Sequence, residues 1–148
     1  MIGYWIYWIN PEIAAHYANR AEKIVELFRE YRDAKASQKE LLARQIRYIT
    51  ETIPSELIDK ALHKQFGRRL DYRSEKSIYI IQTKKAEDEA TLMRQNRRLM
   101  LMVENSEDTV VSQMFEALAS VTPHFLAVDF HFNRAQWIVS KIEKRKFA

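Results

Sequence analysis

Four histidines (His16, His63, His124 and His131) and no cysteine bound the chemistry open to this 148-residue chain. Without cysteine there is no disulfide, no thiol nucleophile and no thiolate-bound zinc. No histidine pair stands at i, i+4, and the sequence holds neither a glycine-rich phosphate loop nor a nucleophile elbow. Asp129 and His131 stand two apart, so on a strand they share a face and can begin a metal site. No third ligand adjoins them, and a polar strand end beside Asn133 and Arg134 is the favoured reading. Glu87-Asp88-Glu89 gathers three carboxylates. Acid–base pairs need carboxylates in different environments, and a consecutive run ahead of a strand reads as a solvated turn. The residues therefore support no enzyme, no metal and no cofactor.

Binding is the remaining class. The net charge is +4, from 24 basic and 20 acidic side chains. Basic groups cluster briefly at Arg68-Arg69, at Arg94 with Arg97-Arg98, and at Lys141 and Lys144-Arg145-Lys146. A nucleic-acid face built on Arg94, Arg97, Arg98 and the basic tail is one reading. Acidic residues are interspersed throughout, which favours an ordinary solvated surface. No apolar run approaches the ~18 residues that span a bilayer. The N-terminus has no basic region and no small-residue cleavage site ahead of the first apolar run. A cytoplasmic location is expected, with no membrane partner and no small-molecule ligand.

The elements that must position any binding residue follow from periodicity. Hydrophobic content of 47% in 148 residues suits one domain, read as spanning 1–148. Tyr4-Trp5-Ile6-Tyr7-Trp8-Ile9 is a strand apolar on both faces, which places it inside a sheet covered above and below. Asn10-Pro11-Glu12 then supplies a helix cap, a first-turn proline and an acid at the positive end of the dipole. Ile13, Tyr17, Ala21, Ile24, Phe28 and Tyr31 form one stripe of a first helix over Pro11 to Arg32. Ser37 with Glu40 is a capping box for a second helix bearing Leu42, Ile46, Ile49 and Ile53, which Pro54 ends. A third helix runs from Ser55 to Phe66, with Gly67 placed as its C-terminal cap.

Strands are expected over Ser77 to Thr83, Ala90 to Arg94 and Arg98 to Glu104, the last two joined by a Gln95-Asn96-Arg97 turn. The apolar run Leu99 to Val103 suits a strand or a buried helix, and its length and the adjacent turn favour strand. Ser106 caps a fourth helix, Pro123 stops it, a strand follows in His124 to Phe132, and Gln136 to Val139 is a further candidate strand. The order β-α-α-α-β-β-β-α-β-(β) is α+β, with a mixed, largely antiparallel sheet covered by about four helices.

Most of the aromatic side chains fall at core spacing. On the second helix, however, the apolar face centres near Leu42 and Ile49, and Tyr48 lies roughly 100° away, with Gln45 and Leu41 on the same flank. A tyrosine, an amide and a leucine at a helix flank suit a protein-binding patch, because tyrosine brings large contact area with little entropy to lose. Tyr17 lies near the middle of the first helix's stripe, where core packing is the favoured local reading.

The aromatic strand, Ala15-His16-Tyr17, Glu26-Leu27-Phe28, Gln45-Ile46-Arg47-Tyr48-Ile49-Thr50, Leu70-Asp71-Tyr72-Arg73 and Pro123-His124-Phe125-Leu126-Ala127-Val128-Asp129-Phe130, in that order, closely resemble the SirA sporulation inhibitors of replication from endospore-forming bacteria. The resemblance covers nearly the whole chain. It implies a small cytoplasmic protein without catalytic activity that binds the N-terminal domain of the replication initiator DnaA and restrains new rounds of replication at sporulation. It also implies a contact surface on the first two helices, whose matching positions are Tyr17, Gln45 and Tyr48. Ile13 stands where the family is expected to carry a larger aromatic, and isoleucine can still fill an apolar pocket. Leu41 joins these from the helical wheel.

Overall fold

The computed structural model describes residues 2–82, 89–104 and 108–140. The N-terminal aromatic run forms β1 (Ile2–Trp8), and Asn10 then caps α1 (Pro11–His16), its side-chain oxygen accepting the Glu12 N–H at 3.0 Å. The single first helix expected to reach Arg32 is two helices. Tyr17 leaves helical geometry at φ −106°, ψ 19°, and α2 starts afresh at Ala21–Asp33. The freed Ala18 carbonyl accepts the Trp137 indole N–H at 3.0 Å, so a tertiary bond holds the break. Breaking there lets Ile24, Val25 and Phe28 of α2 face the sheet while Ala14 of α1 is also buried.

The next helix, α3 (Ala36–Ile49), departs from expectation at both ends. Ser37 and Glu40 make no capping box: Lys35 sits at the cap with an extended backbone, its carbonyl takes the Gln38 and Lys39 N–H groups, and Glu40 pairs with Arg44 at 2.9 Å. The helix also stops short of Ile53. Thr50 turns extended and bridges to Ile9, and the Glu51 N–H donates to the Trp8 carbonyl at 2.7 Å. Pairing with the end of β1 thus overrides local helix propensity, and Ile53 is buried in a different part of the core. Helix α4 (Ser55–Phe66) forms as expected. Gly67 caps it in right-handed geometry, and the contribution of glycine is space: a Cβ would stand 2.4 Å from the His63 carbonyl oxygen.

The polar strand β2 (Tyr72–Glu75) was not legible from alternation, since Arg73, Ser74 and Glu75 are all exposed. It pairs with β3 (Ile78–Gln82) through a turn in which Lys76 and Ser77 take φ of 42° and 68°. Then come β4 (Glu89–Arg94), β5 (Leu99–Glu104), α5 (Asp108–Ala119), β6 (Phe125–Asp129) and β7 (Ala135–Trp137). The β4–β5 turn is closed by the Gln95 N–H to the Arg98 carbonyl at 2.8 Å. Ser106, Glu87, Asp88 and the basic residues Lys141, Lys144, Arg145 and Lys146 lie outside the described residues.

The strands make one seven-stranded sheet, β2-β3-β4-β5-β1-β6-β7, antiparallel at every pairing. The α+β class expected from the sequence is the one observed. The two-sided strand β1 lies between β5 and β6, covered on both faces. On one face Tyr4, Ile6 and Trp8 join Ile58, Leu62 and Phe66 of α4 and Met114 and Leu118 of α5. On the other, Trp5, Tyr7 and Ile9 meet Ala14 of α1 and Ile24, Val25 and Phe28 of α2. There Tyr7 stacks on Phe28 with ring centroids 4.2 Å apart, an arrangement that adds about 0.5–1.5 kcal/mol beyond its burial.

Candidate functional site

Helix α3 is built differently from its neighbours, because none of its residues is fully buried. Leu42, Ala43, Ile46 and Ile49 are half-buried towards α2 and the sheet, and the rest face water. With so little apolar anchorage, its place is set at the C-terminal end by hydrogen bonds. The Asn10 N–H donates to the Ile49 carbonyl at 2.7 Å, and the Asn10 amide reaches the Glu51 carboxylate at 3.2 Å. Arg97 puts one guanidinium nitrogen between the Arg47 and Thr50 carbonyls, at 3.3 and 3.1 Å. A cation on these last carbonyls also complements the negative end of the helix dipole.

The free surface of α3 carries Leu41, Gln45 and Tyr48 at i, i+4 and i+7, which is one stripe of a helix. Tyr48 is 78% exposed and Leu41 60%, and Gln45 is exposed beside them. No hydrogen bond holds any of the three side chains among the described residues. Water-exposed tyrosine and leucine at helical spacing add nothing to the core of this molecule, and such a patch is what a protein partner covers.

The Asn10–Ile49 bond brings the first turn of α1 beside the last turn of α3. Ile13 and Tyr17 follow from that junction along α1, and both are half-buried against the same cluster on which Ile46 and Ile49 pack. Tyr17 ends α1, meets His16 edge-to-face with centroids 4.7 Å apart, and has the Arg20 guanidinium 5.6 Å from its ring centre. It is thus part core and part surface. The five expected binding residues fall into an exposed trio on α3 and a half-buried pair at the two ends of α1.

The other candidates resolve into structural roles. Asp129 ends β6, and one of its carboxylate oxygens accepts the Asn133 and Arg134 N–H groups, each at 2.7 Å. His131 lies beyond the strand, so the shared strand face required for a two-ligand start does not exist. Among the described residues no three of His, Cys, Asp or Glu converge as a metal site. The arginine cluster is also divided. Arg94 donates to the Ile53 carbonyl at 2.8 Å, Arg97 fastens α3, and the Arg98 guanidinium lies 3.8 Å from the Trp5 ring centre. The fastening by Arg97 gave no signal in the sequence, where its neighbours suggested only a basic cluster. Among the described residues no helix is long and apolar enough to cross a membrane.

Comparison with known proteins places the chain in a family. Residues 3–141 match the family described as sporulation inhibitor of replication protein SirA. The chain is 33% identical over 146 residues to the protein of that name from Bacillus subtilis (strain 168), covering 97% of each chain. The order of the aromatic strand, the paired helices and the Pro123–Phe130 segment thus has its explanation in descent: the chain belongs to the SirA family.

Proposed function

We propose that this chain inhibits initiation of chromosome replication during sporulation, in the cytoplasm, by occupying the N-terminal domain of the initiator DnaA with the surface formed by Ile13 and Tyr17 of α1 and Leu41, Gln45 and Tyr48 of α3. The action is occupancy and requires no catalysis. The observation that carries the reading is the exposure of Tyr48, at 78%, in one stripe with Leu41 and Gln45 on a helix that contributes no fully buried residue. The match to a family named for replication inhibition gives the stripe its context. A reversible regulatory contact needs roughly 1,000–1,600 Å² of total buried area.

Direct nucleic-acid binding is the weaker reading. Arg94, Arg97 and Arg98 already serve a carbonyl of residue 53, the end of α3 and the Trp5 ring, and do not form one free face.

The test is a titration of Tyr48→Ala against the isolated N-terminal domain of DnaA, with wild-type protein alongside. Truncating a central tyrosine costs about 2 kcal/mol or more, close to thirtyfold in Kd, and the thermal melt of the free variant stays at the wild-type value. Unchanged affinity in the folded variant removes Tyr48 from the surface. Salt-sensitive binding of origin DNA in the absence of the initiator would favour the nucleic-acid reading instead.

A further inference from the structure

The side of α3 opposite the Tyr48 stripe does not close down on the sheet. Between it, α2 and β1 lies a cavity of about 620 Å³, within the range of small-molecule sites. Its floor is aromatic: Trp5 and Tyr7 of β1 and Phe28 of α2. Around that floor stand five cations, Arg32, Lys39, Arg47, Arg97 and Arg98, and no described carboxylate lines it. They come from α2, α3 and the β4–β5 turn, so the folded chain, and no local charge run, brings them together.

Most of these cations lack a neutralising partner. Arg32 pairs with Asp33 at 2.9 Å. Among the described residues no ion pair involves Lys39, Arg47, Arg97 or Arg98. Arg97 is committed to the end of α3. The Arg98 guanidinium lies over the Trp5 ring, 3.8 Å from its centre, and its Nε–H donates to the Gln95 side chain at 2.7 Å. It also interacts with the Tyr7 hydroxyl, which burial pushes above its ordinary pKa and the Arg98 contact pulls back. The guanidinium is therefore positioned at the boundary between floor and rim. Like charges gathered over an apolar floor repel one another, and an anion among them relieves that repulsion while its apolar body fills the cavity.

We infer that this cavity is a binding site for a small ligand combining a flat aromatic ring with an anionic group, the chemistry of a nucleoside monophosphate or an aromatic carboxylate. Tyr7 and Phe28 stack on each other beneath, so the ring would lie above them, beside the Trp5 edge and the more exposed Tyr31 and Ile46, and the anion would meet Lys39, Arg47 and Arg98. No sign of such a site is legible in the sequence, because its lining comes from segments as far apart as residues 5 and 132. The inference is independent of the proposed protein contact, which uses the outer stripe of α3. Because the ligand would touch both α3 and β1, it would also hold that helix to the sheet.

The full chain is titrated with 1-anilinonaphthalene-8-sulfonate, whose bound fluorescence is then displaced with AMP, 2-naphthoate, adenosine and inorganic phosphate. One saturable site is expected, displaced by AMP or by naphthoate at least tenfold more effectively than by adenosine or phosphate alone. Displacement by AMP assigns the nucleotide member of the class; displacement by naphthoate alone assigns the carboxylate member. Either ligand raises the melting temperature, by an amount that grows with the logarithm of its concentration over Kd. Arg98→Gln and Lys39→Gln each weaken binding about tenfold, as expected for loss of one charged partner. Lys39 is exposed, so its variant keeps the fold even if Arg98→Gln perturbs the Trp5 packing. Failure of both anionic aromatics to displace the dye, or full affinity in folded Lys39→Gln and Arg98→Gln, overturns the inference.

Discussion

Arg97→Gln tests whether the position of α3 depends on a few polar fasteners. The helix has no fully buried residue, so area burial contributes little to its stance, and the Arg97 guanidinium serves two carbonyls of residues 47 and 50 at 3.3 and 3.1 Å. A hydrogen bond from a charged donor is worth about 1.5–3 kcal/mol. Both bonds come from one nitrogen and the first is solvent-exposed, so the low end of that range, about 1.5 kcal/mol for the pair, is the expected loss. Opening of the last turn of α3 then becomes about tenfold more frequent, since 1.4 kcal/mol is one decade. Native-state hydrogen exchange reads this directly. Amides of residues 46–50 should exchange about tenfold faster, while those of β1, β5 and β6 shift only by the change in global stability. Tyr48 sits in the loosened turn, so affinity for a partner docked there falls as well. Uniform acceleration across α3 and the sheet, or none at all, would refute the idea that Arg97 acts locally.

Two further substitutions probe the core. In Gly3→Ala the new Cβ would stand 2.0 Å from a carbon of the Phe130 ring, which packs on Trp5 at 5.1 Å. Displacing that ring costs about 1–3 kcal/mol, roughly 2–10 °C of Tm by calorimetry for a domain of this size, and an unchanged Tm would mean that Phe130 moves freely. Tyr79, 1% exposed, donates its hydroxyl to the Asp59 carboxylate, and burial followed by Asp59 raises its pKa above the ordinary value of 10.0. A raised folded-state pKa gives stability that is complete below about pH 10 and is lost as pH rises from there towards the folded-state value. Tyr79→Phe should therefore cost about 1 kcal/mol at neutral pH and flatten the alkaline limb of the stability profile, measured by urea denaturation between pH 8 and 11. Parallel limbs in the two proteins would show that this hydroxyl does not control the alkaline loss.

The parts of the fold legible in the sequence were those where local pattern and tertiary demand agree. β1 is apolar on both sides because both sides are covered, and the short apolar run Leu99–Val103, read as a strand from its length and the adjacent turn, is β5. Misreadings fell where a distant partner decides. The first helix breaks where Ala18 bonds Trp137, 119 residues away. The α3 cap forms two residues early, and the helix ends when Thr50 and Glu51 pair with the end of β1. A polar edge strand such as β2 carries no alternation to detect. The Tyr48 stripe was visible on a helical wheel because it is a property of one helix. The cavity was invisible because no single element contains it.

The same asymmetry explains how one helix can serve two surfaces. A helix sunk in the core spends its inner face on packing and has one face left. Helix α3 rests on α2 through half-buried side chains and is fixed by backbone bonds at its C-terminal end. Its outer stripe of Leu41, Gln45 and Tyr48 therefore stays free, and its inner side, with the small Ala43 beside Lys39 and Arg47, leaves room above Trp5 and Tyr7. Filling that room with larger apolar side chains separates the two uses. Ala43→Leu adds bulk inside the cavity without touching the outer stripe. Dye binding in the cavity should fall while affinity for a partner on the stripe holds. Equal loss of both would mean that the helix moves as a body and that its two sides are one coupled site.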